Sequence, residues 1–157
     1  MDFDHELLTP HFARWEFSLS DTAVRRDIPN APSAQQWESL KLLSETCLEP
    51  ARVAFGPIRI TSGFRCPALN TIVGGAPSSQ HMKGEAADII PMLGKLQDLF
   101  VWLNHNADFD QLIWEFGKWI HVSHTMIGTQ RHGVLLAYRK NGKTVYAPIT
   151  EDQLKTL

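Results

Sequence analysis

The order of the secondary-structure patterns along this chain constrains its fold most strongly. Apolar residues recur at helical spacing over 33–55, where Ser33 and Gln36 can form a capping box. A second helix is predicted over 93–105, and Asn141-Gly142 predicts a type I′ hairpin. Strands are predicted over 58–61, 86–90, 111–116, 119–124, 134–140 and 143–147. Helices first and antiparallel strands later predict an α+β fold, an antiparallel sheet with helices packed on one face.

Two interruptions in these patterns carry further expectations. Pro50 lies inside the first helical pattern, so it should kink that helix or split it in two. Five glycines and prolines between Ser62 and Ser79 predict a long loop. A loop of this length suggests a functional role.

Composition narrows the class of protein. The 157 residues contain no internal repeat and no Gly/Ser linker, so residues 1–157 are expected to form one domain and, in solution, a monomer. A net charge of −2 argues against nucleic acid as the main partner.

No apolar run is long enough to cross a membrane, and the acidic start Met1–Glu6 does not resemble a signal peptide. The chain is therefore expected to be made in the cytoplasm without a leader. Cys47 and Cys66 are expected to be free thiols.

The residues with metal-binding chemistry lie in two segments. The first runs from Ser79 to Asp88 and contains His81, and the second runs from Glu115 to His124 and contains His121. Two histidines, one aspartate and a spare glutamate are the components of a catalytic zinc site, which uses three protein ligands and leaves a fourth position open.

The first of these segments also has the form of a known motif. It fits the pattern S-x-H-x-x-G-x-A-x-D at all five fixed positions, which are Ser79, His81, Gly84, Ala86 and Asp88. In this the chain resembles the peptidase M15 family, the zinc D,D- and L,D-peptidases of bacterial cell walls and their phages. Three more segments resemble elements of that family: Ile60–Arg65 its S-G-[YF]-R element, Leu69–Gly75 its L-N-x-x-V-G-G loop, and Trp119–Ser123 its W-[VI]-H-[VI]-S strand.

The resemblance implies a fold, a cofactor and an activity. It implies the hedgehog/D,D-peptidase-like arrangement, zinc bound by His81, Asp88 and His121, and Arg65 and Ser79 facing the substrate. The implied substrate is a peptide bond in the stem peptides or cross-links of peptidoglycan, cut by a D-Ala-D-Ala carboxypeptidase or an endopeptidase of the endolysin type. A chain of this kind would reach the wall after phage-type release or delivery.

Strand geometry tests part of this implied ligand set. Side chains alternate along a strand, so His121 and Ser123 should face one side while Val122 and His124 face the other. Only one of the two histidines can then join His81 and Asp88. We expect His121 to be the ligand.

The general base is predicted from the turn between two strands. Members of the wider family often place an acid three residues before the last ligand, where this chain has Lys118. Glu115 is the substitute, because a three-residue loop over 116–118 would pair Glu115 with Trp119 and set it on the face of His121. A two-residue loop would point Glu115 away. Glu85 occupies a variable motif position and is expected to face solvent.

Arg65 follows a predicted strand and a glycine at the mouth of the long loop. A guanidinium there can bind a substrate carboxylate or the oxyanion that develops during hydrolysis.

A function other than catalysis stays open. The chain could be a catalytically inactive zinc-containing module that binds wall peptide or serves as a structural part of a virion. A purely structural zinc site would need four protein ligands.

Overall fold

The computed structural model describes residues 5–157. The first four residues, Met1–Asp4, on which the expectation about a signal peptide partly rests, lie outside the described range. The described chain begins with a two-stranded antiparallel sheet and two one-turn helices that the sequence patterns did not predict. These elements are β1 (Leu7–Thr9), β2 (Phe12–Ala13), α1 (Arg14–Ser18) and α2 (Asp21–Arg25).

The main helix forms where it was predicted, in three consecutive pieces. They are α3 (Ala34–Leu43), a π-helical segment (Ser44–Leu48) and α4 (Glu49–Phe55). The capping box is confirmed, because Ser33 Oγ accepts the Gln36 N–H at 3.3 Å and Gln36 Oε1 accepts the Ser33 N–H at 2.7 Å. Pro50 lies in the first turn of α4, directly after the π-helical segment. The expected split into two helices does not occur, because Leu43, Ser44, Leu48 and Glu49 all have αR backbone angles and residues 34–55 are helical without a break. The irregularity ahead of the proline is a π-helical turn instead.

The segment between Ser62 and Ser79 is not loop throughout, so that prediction is wrong for part of its length. It contains α5 (Pro67–Ile72), which starts at a proline in the position that helices favour. A 3₁₀ turn (Gln80–Lys83) follows and carries the first motif histidine.

Six strands and two further helices complete the fold. They are β3 (Ile58–Ser62), β4 (Ala86–Pro91), α6 (Leu96–Asn106), β5 (Gln111–Glu115), β6 (Trp119–Ser123), β7 (Gly133–Lys140), β8 (Lys143–Pro148) and α7 (Glu151–Leu154). The strands form one sheet in the order β3-β4-β6-β5-β7-β8. Asn141 and Gly142 both have positive φ, as a type I′ hairpin turn requires.

One pairing departs from the antiparallel expectation, because β5 and β7 run parallel. The chain leaves β6 and returns through residues 124–132 to the far side of β5. There β7 starts at the same end of the sheet at which β5 starts. The fold class is α+β with a mixed sheet.

The two faces of this sheet have different environments. Residues Ala87, Ile89, Leu112, Ile120 and Val122 face the helices and belong to one buried core with α3, α4 and α6. The alternate residues of the same strands face an open groove of about 930 Å³. The helices thus pack against one face of the sheet, and the other face lines the groove.

Other expectations from composition can be compared with the structure directly. None of the helices within residues 5–157 is long and apolar enough to cross a membrane. Cys47 and Cys66 are free thiols, as predicted. Burial raises the pKa of the Cys47 thiol to about 12, so it stays protonated inside the core.

Candidate metal centre and active site

Three side chains that the sequence singled out meet at one end of the groove. His81 comes from the 3₁₀ turn, Asp88 from β4 and His121 from β6, and all three are buried. His81 Nε2 lies 3.2 Å from His121 Nδ1 and 3.3 Å from Asp88 Oδ1, and His121 Nδ1 lies 3.1 Å from Asp88 Oδ1. The three potential ligand atoms therefore form a nearly equilateral triangle.

This triangle has the size that a tetrahedral zinc site requires. Zinc bonds to His nitrogen and carboxylate oxygen are about 2.0–2.2 Å long, which places neighbouring ligand atoms about 3.3 Å apart in a tetrahedron. His81 Nδ1 lies 2.6 Å from the carbonyl oxygen of Gly63 and donates its hydrogen to it. That bond leaves His81 Nε2 as a lone-pair donor in the neutral ring, pointing at the other two ligand atoms. The donor set therefore fits a zinc ion.

The charge of Asp88 is set by its neighbours. Burial raises the pKa of Asp88, but His81 and His121 outweigh burial and hold the pKa well below its usual range. The carboxylate is thus ionised, as a metal ligand must be.

Local backbone features bring the three side chains together. Asp88 and His121 are direct cross-strand partners in the β4–β6 pairing. Gly63 passes so close to α1 that a Cβ on it would lie 2.5 Å from the Phe17 carbonyl oxygen. Gly84 ends the 3₁₀ turn with φ +71°, and a Cβ on it would lie 2.6 Å from the Gln36 carbonyl oxygen. The motif glycine is therefore required by both its backbone angle and the adjacent helix.

Replacing Gly84 by alanine should destabilise the fold well beyond the cost of a positive φ alone. The matched control is Gly74→Ala, since Gly74 has φ +72° but no atom within 4 Å of the added Cβ. The control should lose about 1–2 kcal/mol of unfolding free energy from backbone strain. The Gly84 variant should lose at least ~2 kcal/mol more, because Gln36 must move. Urea unfolding of both variants measures the difference, and equal losses would show that the clash is relieved at no cost.

Glu115 lies on the groove face beside the triangle. The β5–β6 register pairs Glu115 with Trp119 and Ile113 with His121, which confirms the predicted hairpin pairing. Burial raises the pKa of Glu115 and the negative charge of Asp88 raises it further, against the lowering effect of His121 and Arg65. A half-buried carboxyl with a raised pKa, next to metal-binding groups, has the properties of a general base.

Arg65 and Ser79 lie together at the groove wall. Arg65 Nη2 donates to Ser79 Oγ and Nη1 donates to Ser62 Oγ, both at 3.5 Å, while Nε is buried and has no partner among the described residues. Ser79 Oγ also accepts the His81 N–H at 3.3 Å and so caps the 3₁₀ turn. Both residues line the groove.

Two other sequence expectations can be checked in the same region. His124 lies beyond the end of β6, 3.8 Å from Asp108 Oδ2, and does not belong to the described metal-binding group. The expectation that Glu85 faces solvent is wrong, since this side chain is 7% exposed. Glu85 Oε1 accepts the Met126 N–H at 3.0 Å, so it anchors the loop that follows β6.

Several groove residues were missed by the sequence interpretation. Asp110 binds Arg131 through both carboxylate oxygens and also accepts a hydrogen bond from Gln80. The contact with Arg131 outweighs burial and lowers the pKa of Asp110, which keeps this pair charged. Arg139 and Tyr146 reach the groove from β7 and β8. The strand alternation of the 141–142 hairpin was the available signal, but the parallel β5–β7 pairing that brings it to the site was not predicted.

Comparison with known proteins agrees with this geometry. A family model described as Peptidase M15 matches residues 10–123, well over half of the chain, and the matched segment contains all three triangle residues, Arg65 and Glu115. A search of curated proteins finds no match. The chain belongs to the peptidase M15 family, and peptidase activity is what its family indicates.

Proposed function

We propose that this protein is a zinc metallopeptidase that hydrolyses peptide bonds in peptidoglycan stem peptides or cross-links. The observation that carries the proposal is the triangle of His81, Asp88 and His121 with Glu115 on the same face of one open groove. Catalytic zinc sites use three protein ligands, which is the number that this group would supply beside the open groove.

His81, Asp88 and His121 would hold the zinc ion through Nε2, Oδ1 and Nδ1 respectively. Zinc bound there would supply Lewis-acid chemistry for polarising the substrate carbonyl and activating water at neutral pH. The Gly63 carbonyl fixes the ring orientation of His81 through its 2.6 Å hydrogen bond.

Glu115 carries the proton transfers in this proposal. Its carboxylate accepts a proton as water attacks the substrate carbonyl, and returns it to the nitrogen of the departing amine. The products are a carboxylate and an amine, and the glutamate is regenerated. Arg65 binds the negative charge of the substrate because its guanidinium is directed along the groove wall by Ser62 and Ser79.

The substrate class is inferred from family membership and from charge. Peptidoglycan stems carry free carboxylates, and Arg65, which lines the groove, has no carboxylate bound to it among the described residues. Delivery to the wall by phage-type release is part of the same proposal.

Mass spectrometry of muropeptides after digestion tests the proposal. The zinc-loaded protein should release fragments with new amino termini, and a strong chelator should stop the release. The alternative, a module that holds wall peptide without cutting it, predicts retention of muropeptides with no new fragments. That result would overturn the proposed activity.

A further inference from the structure

The hairpin of β7 and β8 forms a wall of the groove outside the segment that matches the family model. Its groove-facing side chains include Arg139 and Tyr146. The Cζ atom of Arg139 lies 5.4 Å from the centroid of the Phe116 ring, and Arg139 forms no ion pair with any described residue. Tyr146 is 54% exposed, a large fraction for an aromatic side chain beside a buried site. Both residues lie outside residues 10–123, the segment that matches the family model.

Tyr146 is directly in line with Glu115 across the sheet. Glu115 pairs with Ala137 in the parallel β5–β7 register, and Ala137 pairs with Tyr146 in the antiparallel β7–β8 register. Two strand spacings, about 10 Å, separate the backbones at the ends of this row. Ala137, the middle residue, is fully buried and adds no surface to the groove. Glu115 and Tyr146, on either side of it, both line the groove.

The phenol group of Tyr146 has no hydrogen-bond partner within residues 5–157. Burial raises the pKa of Tyr146, and the charges of Glu115 and Asp88 raise it further, so the hydroxyl keeps its proton and stays a donor. By contrast, Asp110 and Glu85, two other polar residues that line the groove, are already engaged by partners in the protein.

We infer that Tyr146 is a substrate-binding residue whose hydroxyl donates a hydrogen bond to a backbone carbonyl of the peptide lying in the groove. The inference rests on the proposed peptidase function and deepens it, since it gives the C-terminal hairpin a part in substrate recognition. The expected ligand is an extended peptide that contacts both Glu115 and Tyr146 along the groove.

The test compares Tyr146→Phe with Tyr138→Phe. Tyr138 is a matched control because it belongs to the same hairpin, is 38% exposed and faces the opposite side of the sheet, paired with Val145. Loss of one neutral hydrogen bond to substrate should lower kcat/KM for a soluble stem pentapeptide about fivefold to tenfold in the Tyr146 variant. The Tyr138 variant should stay within twofold of the original protein. Zinc content and melting temperature should be equal in all three proteins.

A binding measurement separates this inference from the proposed function. In a Glu115→Gln background the intact pentapeptide is titrated calorimetrically, and Tyr146→Phe should raise its Kd by a similar factor. If the original protein cleaves the pentapeptide and Tyr146→Phe changes neither kcat/KM nor Kd, the inference alone is overturned. If the original protein cleaves nothing, the proposed function fails and the Kd ratio decides the inference. Absence of any peptide binding would overturn both.

Discussion

His121→Ala should abolish both zinc binding and hydrolysis. His121 Nδ1 is one corner of the triangle and lies 3.1 Å from Asp88 Oδ1, so its removal leaves two ligands for an ion that needs three from the protein. Loss of a residue that only hydrogen-bonds to a metal ligand typically costs 10- to 100-fold in metal affinity. Removal of a ligand should therefore cost more than about 10²-fold, and the purified variant should contain no zinc by elemental analysis.

The matched control for this experiment is His124→Ala. His124 is also buried and lies three residues further along, but its ring contacts Asp108 rather than the triangle. This variant should keep its zinc and most of its activity, with circular dichroism used to verify folding. Equal loss of metal from the two variants would contradict the ligand assignment.

Glu115→Gln should keep the fold and the zinc while losing most of the turnover. Glutamine preserves the size and hydrogen bonding of the side chain but cannot accept a proton from the attacking water. General-base catalysis is typically worth ~10² to 10⁴ in rate, so kcat should fall by that factor with KM little changed. Steady-state kinetics on a soluble muropeptide measures both constants.

Asp88→Asn serves as the comparison, because it should weaken zinc binding itself. Asp88 lies within 3.3 Å of both histidines, whereas Glu115 lies outside the triangle on β5, the strand that pairs with the β6 strand of His121. If Glu115→Gln hydrolyses peptide at close to the original rate with zinc bound, the base is another residue.

The sequence predicted those parts of the site that depend on local periodicity. The capping box at Ser33, the hairpin at Asn141-Gly142 and the pairing of Glu115 with Trp119 follow from short-range rules, and all three occur in the structure. Strand alternation also placed His121 and Glu115 on one face. These predictions succeeded because turn chemistry and side-chain parity are set within a few residues.

The features that the sequence did not predict depend on contacts between distant segments. Glu85 is buried because the loop after β6 folds back and donates the Met126 N–H to it. The approach of β7 to β5 depends on the route of residues 124–132, which no local pattern encodes. The position of Tyr146 beside the site follows from that route. Neither feature has a signature in residue spacing alone.

The most direct test of the central claim is a zinc titration of the metal-free protein with hydrolysis measured at each step. A single catalytic zinc at His81, Asp88 and His121 predicts that the rate of release of new amino groups from muropeptides rises linearly with added zinc. The rise should stop at one equivalent per chain. Tight binding of one zinc with no release of amino groups at any point of the titration would contradict the account.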